Sequence, residues 1–207
     1  MATEPMVHVI DDDDAVRDSL DFLFRSASLA VAAYASPRAF LEAAEGLAGG
    51  CIVTDVRMPD MNGLELLRAL NMMKLGVPVI VITGHGDVPM AVAAMKEGAR
   101  DFFEKPFDDA LLLAAVRKAL AAEEVDGQAT APMRARLEQL SMRERQVLEG
   151  LLEGLPNKTI AYDLGISART VEIYRAKVMT KMGASTFAEL IRLAMLAGIA
   201  KAAPNLS

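Results

Sequence analysis

The chain has 207 residues, of which 53% are hydrophobic and 24% charged, with one cysteine, no tryptophan and a formal net charge of −6. That length holds two modest domains, that composition excludes a largely disordered chain, and one cysteine, Cys51, excludes an internal disulfide and fits a reducing compartment. No stretch approaches the roughly 18 uninterrupted apolar residues of a membrane span, residues 110–122 being broken by Arg117 and Lys118, and the N-terminus lacks a basic-then-apolar signal, so the expectation is a cytoplasmic protein with no membrane contact.

Short apolar runs at 7–10, 30–34, 52–54, 77–83 and 100–103 predict five strands. Between and after them, residues 14–28, 37–47, 63–73, 88–98 and 108–122 carry apolar positions three and four apart, as in Leu20, Leu23 and Phe24, and predict helices. Five strand-then-helix units with nearly continuous apolar strands imply a doubly wound α/β domain, a five-stranded parallel sheet with helices on both faces, over residues 1–122. Residues 123–132 mix acids, glycine, alanine and proline without periodicity, and residues 123–136 read as a linker, flexible or only partly helical. Helices at 142–153, 157–164, 168–182 and 187–197 then predict a small all-α domain over 137–207, with Ser141 and Glu144 spaced as a capping box.

In a doubly wound sheet, functional groups gather at the carboxyl ends of the strands. The first expected strand runs into Asp11, Asp12, Asp13 and Asp14, the third into Asp55, the fourth into Thr83, and the fifth into Lys105 and Pro106. A run of aspartates alone is more often a solvated loop; the conjunction at four strand ends is what points to a site. Two carboxylates about 4 Å apart repel by roughly 4 kcal/mol at an effective dielectric near 20, so the cluster calls for a cation, and Mg²⁺ suits carboxylate, water and phosphate oxygens. An aspartate is an able covalent phosphoryl acceptor, and a cation, Lys105 and Thr83 would compensate charge on the group in flight. The aspartates also argue against a pyrophosphate on a glycine-rich first turn. His85, between two glycines and with only His8 as a second histidine, reads as a loop residue rather than a metal ligand.

The stretches VIDDDDAVRDSL, TDVRMPDMNGLELL, VIVITGHGDVPMAV and GARDFFEKPF resemble the receiver domain of two-component response regulators across residues 5–122. The resemblance implies that Asp55 is the phosphoacceptor, and that Asp11, Asp12, Asp55 and the backbone carbonyl of Arg57 hold Mg²⁺. It further implies that Lys105 pairs with the phosphoryl oxygens, that the bond before Pro106 is cis, and that Thr83 and Phe102 are a switch pair. An aspartyl-nucleophile phosphatase would use Asp55 and Lys105 too, but it needs a substrate lid that the short loops do not offer.

The helix at 157–164, the turn Gly165–Ser167 and the helix at 168–182 have the proportions of a DNA-reading helix-turn-helix. Winding the second helix at 100° per residue sets Val171, Tyr174, Val178 and Met182 toward a core and Arg169, Ile173, Ala176, Lys177 and Thr180 outward. Lys158, Thr170, Arg175 and Lys181 are the phosphate-contact candidates. Charge agrees: residues 1–122 carry 18 acids and 11 bases and residues 123–132 three acids and no base, whereas residues 133–207 carry seven acids and 11 bases.

The stretch LSMRERQVLEGLLEGLPNKTIAYDLGISARTVEIYRAKVMTKM resembles LuxR-type DNA-binding domains over roughly 137–200, and the whole chain resembles the FixJ group of regulators. These resemblances imply a phosphorylation-activated transcriptional regulator, expected to be an activator, with a sensor histidine kinase, promoter double-stranded DNA and RNA polymerase as partners. They also imply a homodimer formed on phosphorylation through Pro89, Met90, Val92, Ala93, Lys96 and Arg100, and a receiver that restrains the output domain when unphosphorylated. A pure docking module remains the competing reading, separated by whether the chain binds DNA at low salt.

Overall fold

The structure is a computed structural model that describes residues 6–44, 49–84, 88–121 and 130–199; His85 and linker residues 123–129 lie outside them. The strands are β1 (Met6–Ile10), β2 (Ala30–Tyr34), β3 (Cys51–Asp55), β4 (Val79–Thr83) and β5 (Asp101–Glu104). They form one parallel sheet in the order β2-β1-β3-β4-β5. Helices α1 (Asp14–Ser26), α2 (Pro37–Ala43), α3 (Gly63–Met72), α4 (Val88–Lys96) and α5 (Asp109–Leu120) follow the strands in turn. The remaining described helices are α6 (Thr130–Glu138), α7 (Met142–Leu152), α8 (Asn157–Leu164), α9 (Ala168–Met182) and α10 (Phe187–Leu196).

Side-chain alternation explains the layers. Val7, Val9, Cys51, Val53, Ile80, Ile82 and Phe103 share a cluster with Leu20 and Phe24 of α1 and Leu112 and Val116 of α5. Alternate positions such as Ile10, Ile52, Val79 and Val81 therefore face the other side of the sheet, and they too are buried. Burying both faces is why β3 and β4 are apolar almost throughout. Residues Asp13, Ser36, Asn62 and Asp108 cap α1, α2, α3 and α5 through their side chains, each starting its helix directly after a strand-end loop. The fourth strand starts at Val79 rather than at 77 because Pro78 has no N–H to give the ladder, although its carbonyl still accepts Ile52 N–H at 2.9 Å.

The chain divides into two compact units. One gathers β1–β5 with α1, α2, α3 and α5, and the second gathers α4 with α6–α10. In the second unit Val147, Leu151, Ile160, Ala161 and Val171 form a core cluster shared by α7, α8 and α9. Residues 130–136, the end of the expected linker, form the larger part of α6, whose Met133 and Leu137 are buried. Pro132 is compatible with this because it falls in the first turn, where no intrahelical N–H is needed.

Candidate phosphoryl-acceptor and DNA-reading sites

The strand order brings the carboxyl ends of β1, β3, β4 and β5 side by side. Ile10 pairs with Thr54, so Asp11 and Asp55, one residue further, are neighbours; Asp55 pairs with Ile82, and Thr83 pairs with Glu104 beside Lys105. Asp11 and Asp55 are only 2% and 6% exposed, so their charges need compensation from within the protein. Lys105 supplies it: Nζ lies 2.8 Å from Asp11 Oδ2 and 2.9 Å from Asp55 Oδ1. Although burial opposes its charge, the hydrogen bonds it donates to Asp11 and Asp55 outweigh this and raise the Lys105 pKa, keeping the ammonium protonated.

The remaining carboxylate oxygens are also held. Arg57 N–H donates to Asp55 Oδ2 at 2.6 Å, and Asp13 N–H donates to Asp11 Oδ1 at 2.9 Å. The Lys105–Pro106 bond is cis, as expected, and Lys105 N–H donates to the Thr83 carbonyl at 2.7 Å, anchoring the ammonium to the end of β4. Thr83 is fully buried, and Phe102, half-buried, points to the face of the sheet opposite Phe103 and thus to the Thr83 side.

Asp12 stands exposed next to Asp11. Among the described residues no three His, Cys, Asp or Glu side chains are gathered at metal-binding spacing, and Lys105 bridges the two buried carboxylates. The donor chemistry itself, carboxylates of Asp11, Asp12 and Asp55 with a backbone carbonyl, is all hard oxygen and fits Mg²⁺.

Two residues that the sequence reading passed over position this site. Arg17 donates from Nη1 to the Asp11 carbonyl at 2.6 Å and pairs through Nη2 with Asp14, tying the acidic loop to α1. The periodicity of α1 gave no reason to single it out. A Cβ at Gly63 would fall on the Asp55 carbonyl oxygen and within 3.2 Å of Val56 Cα, so the residue must lack a side chain for α3 to start this close to β3. The signal for it was Asn62-Gly63 just before a helical pattern.

In the second unit, Ser167 caps α9 and Gly165, at φ 64°, ends α8, which makes the tight turn. The expected inward face holds: Val171, Val178 and Met182 are fully buried and Tyr174 is half-buried. Lys158, Arg169, Ile173 and Lys177 are exposed, while the half-buried Thr170 lies with Oγ1 2.8 Å from Ser167 Oγ.

Two phosphate candidates are committed elsewhere. Lys181 Nζ lies 2.7 Å from Glu144 Oε2 and donates to the Gln139 carbonyl at 3.2 Å, and the half-buried Arg175 guanidinium sits 4.3 Å from the Phe187 ring centroid, where burial lowers its pKa. A helical wheel shows which side a residue occupies but not which neighbours meet it there. The set expected as a dimer face is mixed: Pro89 is exposed, Met90, Ala93, Lys96 and Arg100 are half-buried, and Val92 is only 3% exposed.

Residues 7–117 match the response regulator receiver domain family, and residues 138–194 match the bacterial regulatory proteins, luxR family. The transcriptional regulatory protein FixJ of Azorhizobium caulinodans is 61% identical over 199 residues, covering 95% of this chain and 94% of its own length. The protein of the same name from Rhizobium meliloti is 52% identical over 199 residues, covering 95% of this chain and 98% of its own. The crystal structure of full-length FixJ from B. japonicum superposes with a TM-score of 0.56 at 50% identity, covering 96% of this chain and 99% of that one.

Proposed function

The chain belongs to the FixJ-like response regulators, phosphorylation-dependent transcriptional regulators with a receiver and a LuxR-type DNA-binding domain, and from that premise we propose that Asp55 accepts the phosphoryl group. The observation that carries the assignment is the Lys105 ammonium bridging Asp11 and Asp55 at adjoining strand ends. A receiver of this kind implies a sensor kinase as donor. In the transfer, an Asp55 carboxylate oxygen forms the new P–O bond and the donor's P–N bond breaks, its electron pair leaving with the histidine ring nitrogen, which is protonated in turn. The backbone N–H of Arg57 and the Lys105 ammonium orient the nucleophile, and Lys105 stays charged to meet the incoming oxygens. Receiver domains generally use Mg²⁺, which supplies further charge compensation; here Asp11, Asp12, Asp55 and the Arg57 carbonyl would hold it.

Thr83 and Phe102 are the residues through which the new charge is felt beyond the pocket, the hydroxyl moving toward the phosphoryl oxygens and the ring turning into the space vacated. That change favours a homodimer through α4 and β5 and an output domain released to bind promoter DNA and engage RNA polymerase. Lys158, Arg169, Thr170, Ile173 and Lys177 form the contact set, with α9 as the helix that enters the major groove.

Incubation with acetyl phosphate and Mg²⁺, followed by intact mass measurement, tests the acceptor. The wild type is expected to gain one phosphoryl group and Asp55→Asn none. A variant that still gained it would remove Asp55 from the mechanism. Promoter-reporter activity with and without the cognate kinase separates an activator, the expected outcome, from a repressor.

A further inference from the structure

The C-terminal end of α9 is tied to a segment that precedes the luxR match. The last carbonyls of a helix have no intrahelical partner. At the end of α9, Gly183 N–H donates to the Thr180 carbonyl at 3.1 Å and Ala184 N–H to the Met179 carbonyl at 3.0 Å. The Met182 carbonyl is taken by a side chain from another helix: Arg136 Nη1 of α6 donates to it at 2.8 Å. A cation there also complements the negative end of the helix dipole. Gly183, at φ 69°, leaves the guanidinium its path, since a Cβ would lie 2.6 Å from Arg136 Nη1.

The adjacent residue of α9 is fastened just beyond α6, inside the luxR match. Lys181 donates to the carbonyl of Gln139, just past α6, and pairs with Glu144, which is 4% exposed and completes the capping box of α7 with Ser141. Met133, Leu137 and Leu140 are all 8% exposed or less, so the segment is anchored by apolar packing as well as by polar bonds. Arg136 and most of α6 stand before residue 138, where the family match begins.

We propose that α6 is a clamp on the recognition helix and that Arg136 is its positioning residue, fixing the pitch at which α9 presents Arg169, Ile173 and Lys177 to DNA. This rests on the reading of α9 as the recognition helix. Arg136 touches no base; it acts by holding the far end of the element that does.

The test uses the full chain after acetyl phosphate and Mg²⁺ treatment, as wild type, Arg136→Ala and Arg136→Lys. Duplexes enriched by the wild type from a random-sequence pool are the specific probe, and an unselected duplex is the reference. One charge-assisted hydrogen bond lost corresponds to roughly tenfold. Arg136→Ala is expected to lose about that factor on the enriched duplex, to keep wild-type affinity for the unselected one, and to exchange the Gly183 and Ala184 amides faster; Arg136→Lys recovers most of each loss. Equal weakening on both probes, unchanged affinity on both, or wild-type exchange at those amides overturns the clamp. If Arg136→Ala does not fold, Arg136→Met, which keeps the apolar stem but gives the Met182 carbonyl no donor, takes its place with the same expected and overturning results. A wild type that enriches no duplex defeats the DNA-reading assignment instead, and amide exchange then decides the clamp by itself.

Discussion

An added carbon at Gly63 would meet the Asp55 carbonyl oxygen, the Asp55 carbonyl carbon at 3.1 Å and Val56 Cα at 3.2 Å, all of them backbone. Backbone cannot swing aside as a flexible side-chain end can, so Gly63→Ala must push α3 away from β3 or displace Asp55. Overpacking of this kind costs about 1–3 kcal/mol. Gly63→Ala is therefore expected to lower the denaturant midpoint and to slow phosphorylation by acetyl phosphate, because Asp55 and its Arg57 N–H shift together. Wild-type values for both would show that the close approach is not needed. Asp11, Asp55, Thr83 and Lys105 were legible in the sequence because a parallel sheet puts strand ends in one place. Gly63 and Arg17 were not, since their roles depend on distances between elements, which no spacing along the chain encodes.

At the scale of elements, α7 and α9 are joined by one ion pair whose behaviour with pH follows from its partners. Chiefly the Lys181 hydrogen bond, then the Ser141 N–H, hold the Glu144 carboxyl at about 2, below its ordinary 4.5. A depressed carboxylate pKa contributes stability that is fully present above the unfolded value and disappears as pH falls through the folded one. The contribution is thus constant above roughly pH 4.5 and lost between there and about pH 2. Thermal melts of the full chain across that window are expected to show the transition of the α6–α10 helices falling with pH, and Glu144→Gln is expected to flatten the dependence. A slope equal in the variant and the wild type would assign the acid sensitivity elsewhere.

The same helices show what periodicity reveals. The bounds of α8 and α9 follow from the sequence because Ser167 and the glycines at 165 and 183 mark their ends. The next helix back, α6, escaped: Met133, Leu137 and Leu140 have helical spacing, but alanines and Pro132 beside an acidic stretch gave the look of a linker. What makes those three positions apolar is the body they pack on, and that body forms only in the folded unit.

For the molecule as a whole, electrostatics alone predicts that phosphorylation weakens DNA binding. The chain is already at −6, and a phosphoryl group on Asp55 makes it more negative, which weakens attraction to DNA. A gain in affinity must therefore come from a change in the number of contacts made at once. Affinity falls with salt in proportion to the phosphates neutralised, with a slope near −0.9 for each. If phosphorylation produces a dimer that seats two output domains, the slope steepens to about twice its unphosphorylated value while affinity at moderate salt rises. Lys177→Ala then removes roughly one unit of slope from the monomer and roughly two from the dimer. Binding titrations over a salt series, paired with solution mass before and after acetyl phosphate, measure both quantities on one sample. A rise in affinity with unchanged slope and monomer mass would reject dimerisation, leaving release of a restrained output domain to account for activation.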